Sequence, residues 1–182
     1  MEVVSVSVSA VREVERNGKT WRTAIFKEPV EGRRRIGRLT VEGDAQANLD
    51  VHGGPQQAVY AYPAEHYPAW SEDHAGQEFP WGSFGENLTV RGLLETDVRP
   101  GDRLRIGTTE LVVTKPRQPC ATFAMKMGDP GAVKRMLQTG RCGWYLSVAR
   151  EGDIGAGDSV EHIPGDGSEP TIAEVFARLT KA

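Results

Sequence analysis

The stretch Arg103-Leu104-Arg105-Ile106-Gly107-Thr108-Thr109-Glu110-Leu111-Val112-Val113-Thr114 decides the class of fold. Leu104 and Ile106 alternate with Arg103 and Arg105, which gives an extended segment one apolar and one charged face. After the short link Gly107–Thr109 comes a second run, Glu110–Thr114, and the two read as a β-hairpin. The same period recurs at the start of the chain, where Val4, Val6 and Val8 alternate with Ser5, Ser7 and Ser9. Outward from the hairpin, strands are predicted at Thr23–Phe26, Leu39–Glu42, Ala58–Tyr62, Glu86–Val90, Tyr145–Ala149 and Ser159–Ile163. Gly and Pro number 32 of 182 residues, about 18% against a usual ~12%, and they punctuate these short runs as turns.

Helical spacing is scarce. Pro63 could begin a short helix through Glu65 and Tyr67, which Pro68 is expected to interrupt. Pro130–Thr139 carries Val133, Met136 and Leu137 on one face. The clearest helix has Ile172, Val175, Phe176 and Leu179 at i, i+3, i+4, i+7, with Thr171 and Glu174 as a capping box. Many short strands and few helices predict a mostly β protein, a compact closed or nearly closed β-barrel with a few peripheral helices. The barrel domain is expected over 1–164, and a Gly- and acid-rich linker plus the amphipathic helix over 165–182.

Composition narrows the function. Adding Gly to the apolar count and removing Tyr leaves 87 of 182 residues, roughly 48%, a globular value. Net charge is −3, without the basic field that nucleic acid demands. No run approaches the roughly 20 apolar residues of a membrane helix, and the first residues have neither the basic nor the apolar segment of a secretory signal. Two cysteines, Cys120 and Cys142, cannot build a disulfide framework, an iron–sulfur cluster or an all-cysteine zinc site. A cytoplasmic protein with both thiols unbridged is expected.

Four segments carry candidate chemistry. In Lys115-Pro116-Arg117-Gln118-Pro119-Cys120 two prolines stiffen the approach to a thiol, and Arg117 can favour its thiolate, the reactive and metal-binding form. Cys120 is either such a presented thiolate or a small buried hydrophobe; Cys142, between Arg141 and Gly143, reads as the latter. His52-Gly53-Gly54 is either a tight turn or a nest of backbone N–H groups beside a proton-transferring imidazole. Trp81-Gly82-Ser83-Phe84-Gly85-Glu86-Asn87 is a bent loop that sets Glu86 and Asn87 at a strand mouth, where they either structure a turn or meet a ligand. Arg33, Arg34 and Arg35 form either a solvated face or a phosphate clamp. The four histidines, His52, His66, His74 and His162, show no zinc spacing, and there is no P-loop or dinucleotide fingerprint.

Taken in order, Ile25-Phe26-Lys27-Glu28-Pro29-Val30, Glu42-Gly43-Asp44-Ala45-Gln46, His52-Gly53-Gly54, Ala58-Val59-Tyr60-Ala61-Tyr62-Pro63, Phe84-Gly85-Glu86-Asn87-Leu88, Gly101-Asp102, Pro116-Arg117-Gln118-Pro119-Cys120 and Gly143-Trp144-Tyr145 resemble the MOSC domain. This family is named after the C-terminal domain of molybdenum cofactor sulfurase, and the likeness is to its small stand-alone bacterial members. The resemblance covers roughly residues 22–163. It implies a β-barrel that binds molybdenum cofactor, a pterin dithiolene with a phosphate tail, and a thiolate ligand to molybdenum at Cys120. It also implies a cofactor-contacting loop at Phe84, Gly85, Glu86 and Asn87, and, more loosely, a lining turn at His52, Gly53 and Gly54. Lys27 and Arg117 are then the cations expected to neutralise cofactor charge.

The resemblance further implies reduction of N-hydroxylated small molecules, such as hydroxylaminopurines and amidoximes, to the amine. The cofactor carries the chemistry, with the protein orienting substrate and supplying protons; Glu86 and His52 are candidate proton donors by location. Electrons would come from an external flavin or iron–sulfur protein. A family-level association with pyridoxal phosphate belongs to the same resemblance. The sulfurase's aminotransferase-like domain is not expected here, nor is cysteine desulfuration. A non-catalytic cofactor carrier and a Cys–His hydrolase built on Cys120 and His52 are the competing readings.

Overall fold

The computed structural model describes residues 1–47 and 53–180; His52 lies outside them. The chain opens with β1 (Glu2–Val8), then β2 (Arg12–Arg16) and β3 (Lys19–Thr23), the two-residue β4 (Glu28–Pro29) and β5 (Arg34–Ile36). A 3₁₀ turn at Pro55–Gln57 leads into β6 (Val59–Pro63) and α1 (His66–Asp73), followed by β7 (Leu88–Arg91), β8 (Arg103–Ile106) and β9 (Thr109–Pro116). The helices α2 (Ala121–Met127) and α3 (Ala132–Thr139) precede β10 (Trp144–Arg150), β11 (Gly152–Ile154), β12 (Val160–Ile163) and α4 (Ile172–Leu179).

Eight strands form one sheet in the order β12-β8-β9-β10-β6-β7-β1-β4. The hairpin that opened the reading is there: Leu104 faces Leu111 and Ile106 faces Thr109, and all four side chains are buried. β6 and β7 run parallel, with Ala61 beside Leu88. No continuous ladder closes the sheet, so of the closed and nearly closed barrels expected it is the open form of a compact β fold. A single bridge joins Glu2 to Ser159. Around it Val3 N–H donates to Asp158 O (2.9 Å), Gly157 N–H to Val3 O (2.8 Å) and Val160 N–H to Met1 O (3.0 Å). Residues 156–157 form a turn and Ser159 makes only the one bridge, so the seam has no second register to extend.

Predicted and observed elements differ in the first third of the chain and at α1. Thr23–Phe26 is not a strand; the strand is Lys19–Thr23, paired with Arg12–Arg16 in a separate two-stranded ribbon. Leu39–Glu42 contributes one bridge, Val41 to Ile36. Pro68 does not interrupt α1, because it is the third helical residue, where no intrahelical acceptor is needed for an N–H. The capping box of α4 is present, with Glu174 N–H donating to Thr171 Oγ1 and Thr171 N–H to the Glu174 carboxylate. Ile172 and Phe176 of that helix enter the main core cluster. No helix of the described residues is long and apolar enough to cross a membrane.

Candidate active site

The cavity lies where the parallel pair meets α2. About 280 Å³ in volume, it is open on one side. One wall comes from the strap after β3: Thr23, Ala24, Ile25 and Lys27. A second comes from Asp44–Ala47 and Gly53, a third from Tyr60, Gly85 and Asn87, and the last from Arg117, Cys120, Thr122 and Tyr145. Tyr60 on β6 and Tyr145 on β10 face each other across the ladder, their rings 5.3 Å apart.

Cys120 ends the stiff Pro116–Pro119 segment and is the extended N-cap residue of α2. It is half-buried and opens on the cavity. Arg117 is 4% exposed. Its guanidinium lies 4.5 Å over the Phe123 ring and 5.4 Å over that of Tyr60, and Nη1 approaches Met136 Sδ at 3.8 Å. Among the described residues no carboxylate pairs with it, and its charge is felt by Tyr60, Tyr145 and Cys120. Cys142, by contrast, is fully buried beneath β10, and burial followed by the Glu95 carboxylate pushes its thiol well up. The two cysteines form no disulfide.

Lys27 and Asp44 form a pair inside the cavity wall, Nζ to Oδ1 at 2.5 Å, with side chains 9% and 3% exposed. Asp44 is held on every side: Ser9 N–H donates to Oδ1 (2.9 Å) and Asn87 Nδ2 to Oδ2 (2.9 Å). Asn87 in turn accepts from Tyr60 N–H at Oδ1 (3.1 Å) and donates to Ser7 O (3.3 Å). Its amide therefore ties β1, β6 and the Asp44 loop together. Burial lowers the Lys27 ammonium, and the attraction of Asp44 only partly restores it.

Other predicted site residues stand behind the wall. Phe84 is fully buried among Tyr62, Tyr67 and Trp70. Glu86 is fully buried too, and its oxygens accept from Tyr67 OH, Gly82 N–H (2.8 Å), Thr89 Oγ1 (3.0 Å) and Phe84 N–H (3.1 Å). Neither reaches the cavity lining. Both stand behind the lining and not in it, and the Glu86 carboxylate organises its own loop. Gly82 is needed there for close approach, since at φ +86 a Cβ would stand 2.7 Å from Lys27 O. Gly53 lines the cavity, but Gly54 N–H is already used by Gln46 Oε1 (3.0 Å). Arg33 is far from a clamp; it forks onto Asp158 with two bonds of 2.9 Å.

Sequence reasoning missed Asp44, Tyr60 and Tyr145 as site residues. Asp44 sat inside a quoted segment, yet only the fold brings it to Lys27. The tyrosines look like any strand aromatic until the register decides their face.

The fold is mostly β, and its cavity brings the Cys120 thiol together with the buried Arg117 guanidinium, which has no carboxylate partner among the described residues. The sequence profile of the MOSC domain matches residues 48–161. YflK of Bacillus subtilis is 41% identical over 87% of this chain and 72% of its own length, and YiiM of Escherichia coli 36% identical over 85% and 70%. A Gibberella moniliformis protein called a reductase is 33% identical over 76% of this chain, which spans only 25% of that longer protein. The crystal structure of YiiM from Geobacillus stearothermophilus superposes with a TM-score of 0.80 at 31% identity, over 98% of this chain and 83% of that one. The chain belongs to the MOSC domain family.

Proposed function

We propose that this cavity holds molybdenum cofactor and that the protein reduces N-hydroxylated small molecules to amines. The reading is carried by one observation: Arg117, buried and without a carboxylate partner among the described residues, shares the cavity with Cys120. A buried charge is stable only when paired, so this guanidinium calls for an anion, and the thiolate is the protein donor that a soft-to-intermediate metal prefers. The donor set therefore fits a metal dithiolene with a phosphate tail. Cys120 would hold the metal and Arg117 the negative charge. Lys27 is a weaker claimant for the phosphate because Asp44 already neutralises it.

When bound, the cofactor supplies two-electron chemistry at the N–O bond. Tyr60 and Tyr145 bound the space beside it, and the open side admits a small planar substrate. Electrons would come from an external donor protein. The homologue called a reductase supports the reaction class.

The test is a set of variants made in one cofactor-competent host. Cys120→Ala and Cys120→Ser should lose or distort the molybdenum site and abolish reduction of benzamidoxime with an artificial reductant. Cys142→Ala should keep both. Full activity in Cys120→Ala with loss in Cys142→Ala would overturn the ligand assignment. Molybdenum in every form with turnover in none would make the protein a carrier, and alkylation-sensitive hydrolysis without molybdenum would make it a hydrolase.

A further inference from the structure

We infer that Lys27, steadied by Asp44, is the proton donor of this site, delivering a proton to the substrate nitrogen as its N–O bond breaks. The inference rests on the proposed reductase reading and adds to it the acid that the overall reaction requires. Reduction follows R–NHOH + 2 H⁺ + 2 e⁻ → R–NH₂ + H₂O. The electrons come from the external donor, the N–O bond breaks, nitrogen takes one proton from Lys27 Nζ, and oxygen leaves as water. The second proton, and the one that recharges Lys27, come from solvent through the open side.

Three features single out this lysine. An ammonium has three donor hydrogens, and among the described residues the one side-chain acceptor for Lys27 Nζ is Asp44 Oδ1. Among those residues two N–H vectors are therefore left without a protein acceptor on a side chain that is 9% exposed and lines the cavity shared with Cys120. Second, Asp44 is fixed as an acceptor by Ser9 N–H and Asn87 Nδ2, so it orients the ammonium without turning away when the proton leaves. Third, Glu86 is locked within its own loop, its carboxylate accepting from Tyr67 OH, Gly82 N–H, Phe84 N–H and Thr89 Oγ1. The charged groups acting on Lys27 are Asp44 and Glu86, which favour its ammonium, and Lys126 of α2, which opposes it. With burial dominant, the ammonium is a stronger acid than an exposed lysine.

The experiment compares wild type, Lys27→Arg, Lys27→Met and Asp44→Asn, with Cys120→Ala as control. Benzamidoxime is the substrate and reduced methyl viologen the electron source; molybdenum per chain is measured on every sample. Lys27→Arg and Lys27→Met should keep molybdenum within about twofold and KM within a few-fold while kcat drops by roughly 10²-fold, the lower end of general-acid contributions. Wild-type kcat should fall as pH rises through the Lys27 titration, and Lys27→Arg should lose that limb because guanidinium does not titrate there. On cofactor-free protein, ¹⁵N NMR of the Lys27 ammonium should report titration below the ordinary lysine range, lower still in Asp44→Asn.

Unchanged kcat and pH profile in Lys27→Arg would overturn the assignment. So would molybdenum loss in parallel with activity, which would make Lys27 a cofactor-holding residue, or a Lys27 titration indifferent to Asp44→Asn. Wild type that is molybdenum-loaded but inactive defeats the reductase reading itself. Active wild type with normal Lys27 variants defeats only the proton-donor assignment.

Discussion

Arg117 places function and stability in opposition within one side chain. Taking a guanidinium out of water costs several kcal/mol, and with no carboxylate partner among the described residues this is offset by stacking on Phe123 and Tyr60, on the order of 1 kcal/mol per contact, and by interactions with Tyr145 and Cys120. Arg117→Met, apolar and close in length, should leave the cofactor-free protein at least as resistant to urea as wild type. The same substitution should reduce molybdenum content at least tenfold. A lowered urea midpoint would mean that the guanidinium is structurally satisfied. Cys142→Ala should behave in the opposite way, costing about 1–2 kcal/mol as a small core truncation with molybdenum content unmoved. At this scale the sequence pointed to the segment, since Pro116 and Pro119 frame Arg117 and Cys120, both of which line the cavity. The partnership of Lys27 with Asp44 was not legible, because 17 positions separate them and only the turn at Val41–Gly43 brings them together.

Among the elements, legibility followed burial. The β8–β9 hairpin and α4 were read correctly because their apolar period is imposed by the core they enter. Thr171→Ala should remove one half of the α4 capping box and cost about 1 kcal/mol, measured as a shift in urea midpoint, with reduction rates unchanged. The β2–β3 ribbon was missed although Asn17-Gly18, a hairpin turn signal, stands between its strands. The ribbon lies outside the main sheet, and Val14 opposite Trp21 is its single apolar cross-strand pair, so it offered no alternation to detect. α2 was missed because Cys120 is not among the usual capping residues.

A buried lysine fastens α2 to the strap over the cavity. Lys126 Nζ donates to Ile25 O (2.8 Å) and Gly82 O (2.6 Å), and burial lowers its pKa from 10.5 to about 7. With the folded value below the unfolded one, stability attributable to this group is fully present above 10.5 and is lost as pH falls to about 7. Each unit of such a shift is worth about 1.4 kcal/mol at most. The stability of wild type should therefore rise between pH 7 and 9.5 relative to Lys126→Met. A constant difference between the two across that range would argue against a buried ammonium here.

Over the whole molecule, distant segments are joined by few but specific contacts. Arg33 forks onto Asp158 and donates to Asp153 O at 2.8 Å, linking the chain near β5 to the turn before β12. The guanidinium holds the Asp158 carboxyl below its usual 3.8. Its contribution is present above that pH and is lost as pH falls through the lower, folded value. Asp158→Asn should accordingly lose stability less steeply than wild type below pH 4 in acid titrations followed by circular dichroism. The seam itself, one bridge and three backbone bonds between residues 1–3 and 157–160, could not be read from sequence: Val3 carries the strand pattern of β1, but nothing in Gly155–Ser159 marks it as a partner.

That seam also sets a timetable for synthesis. β1 can pair with β7 as soon as Arg91 has left the ribosome, yet its first residues must wait for Val160, and the cavity must wait for Tyr145 on β10. From Arg91 to Val160 is 69 positions (160 − 91), which at about 5–20 residues per second is roughly 3–14 s of elongation. Throughout most of that interval the nascent chain holds half of a pocket, and Cys120 emerges before the wall that will face it. Any molecule that fills the pocket is therefore received only after Tyr145 has emerged and β10 has joined β6.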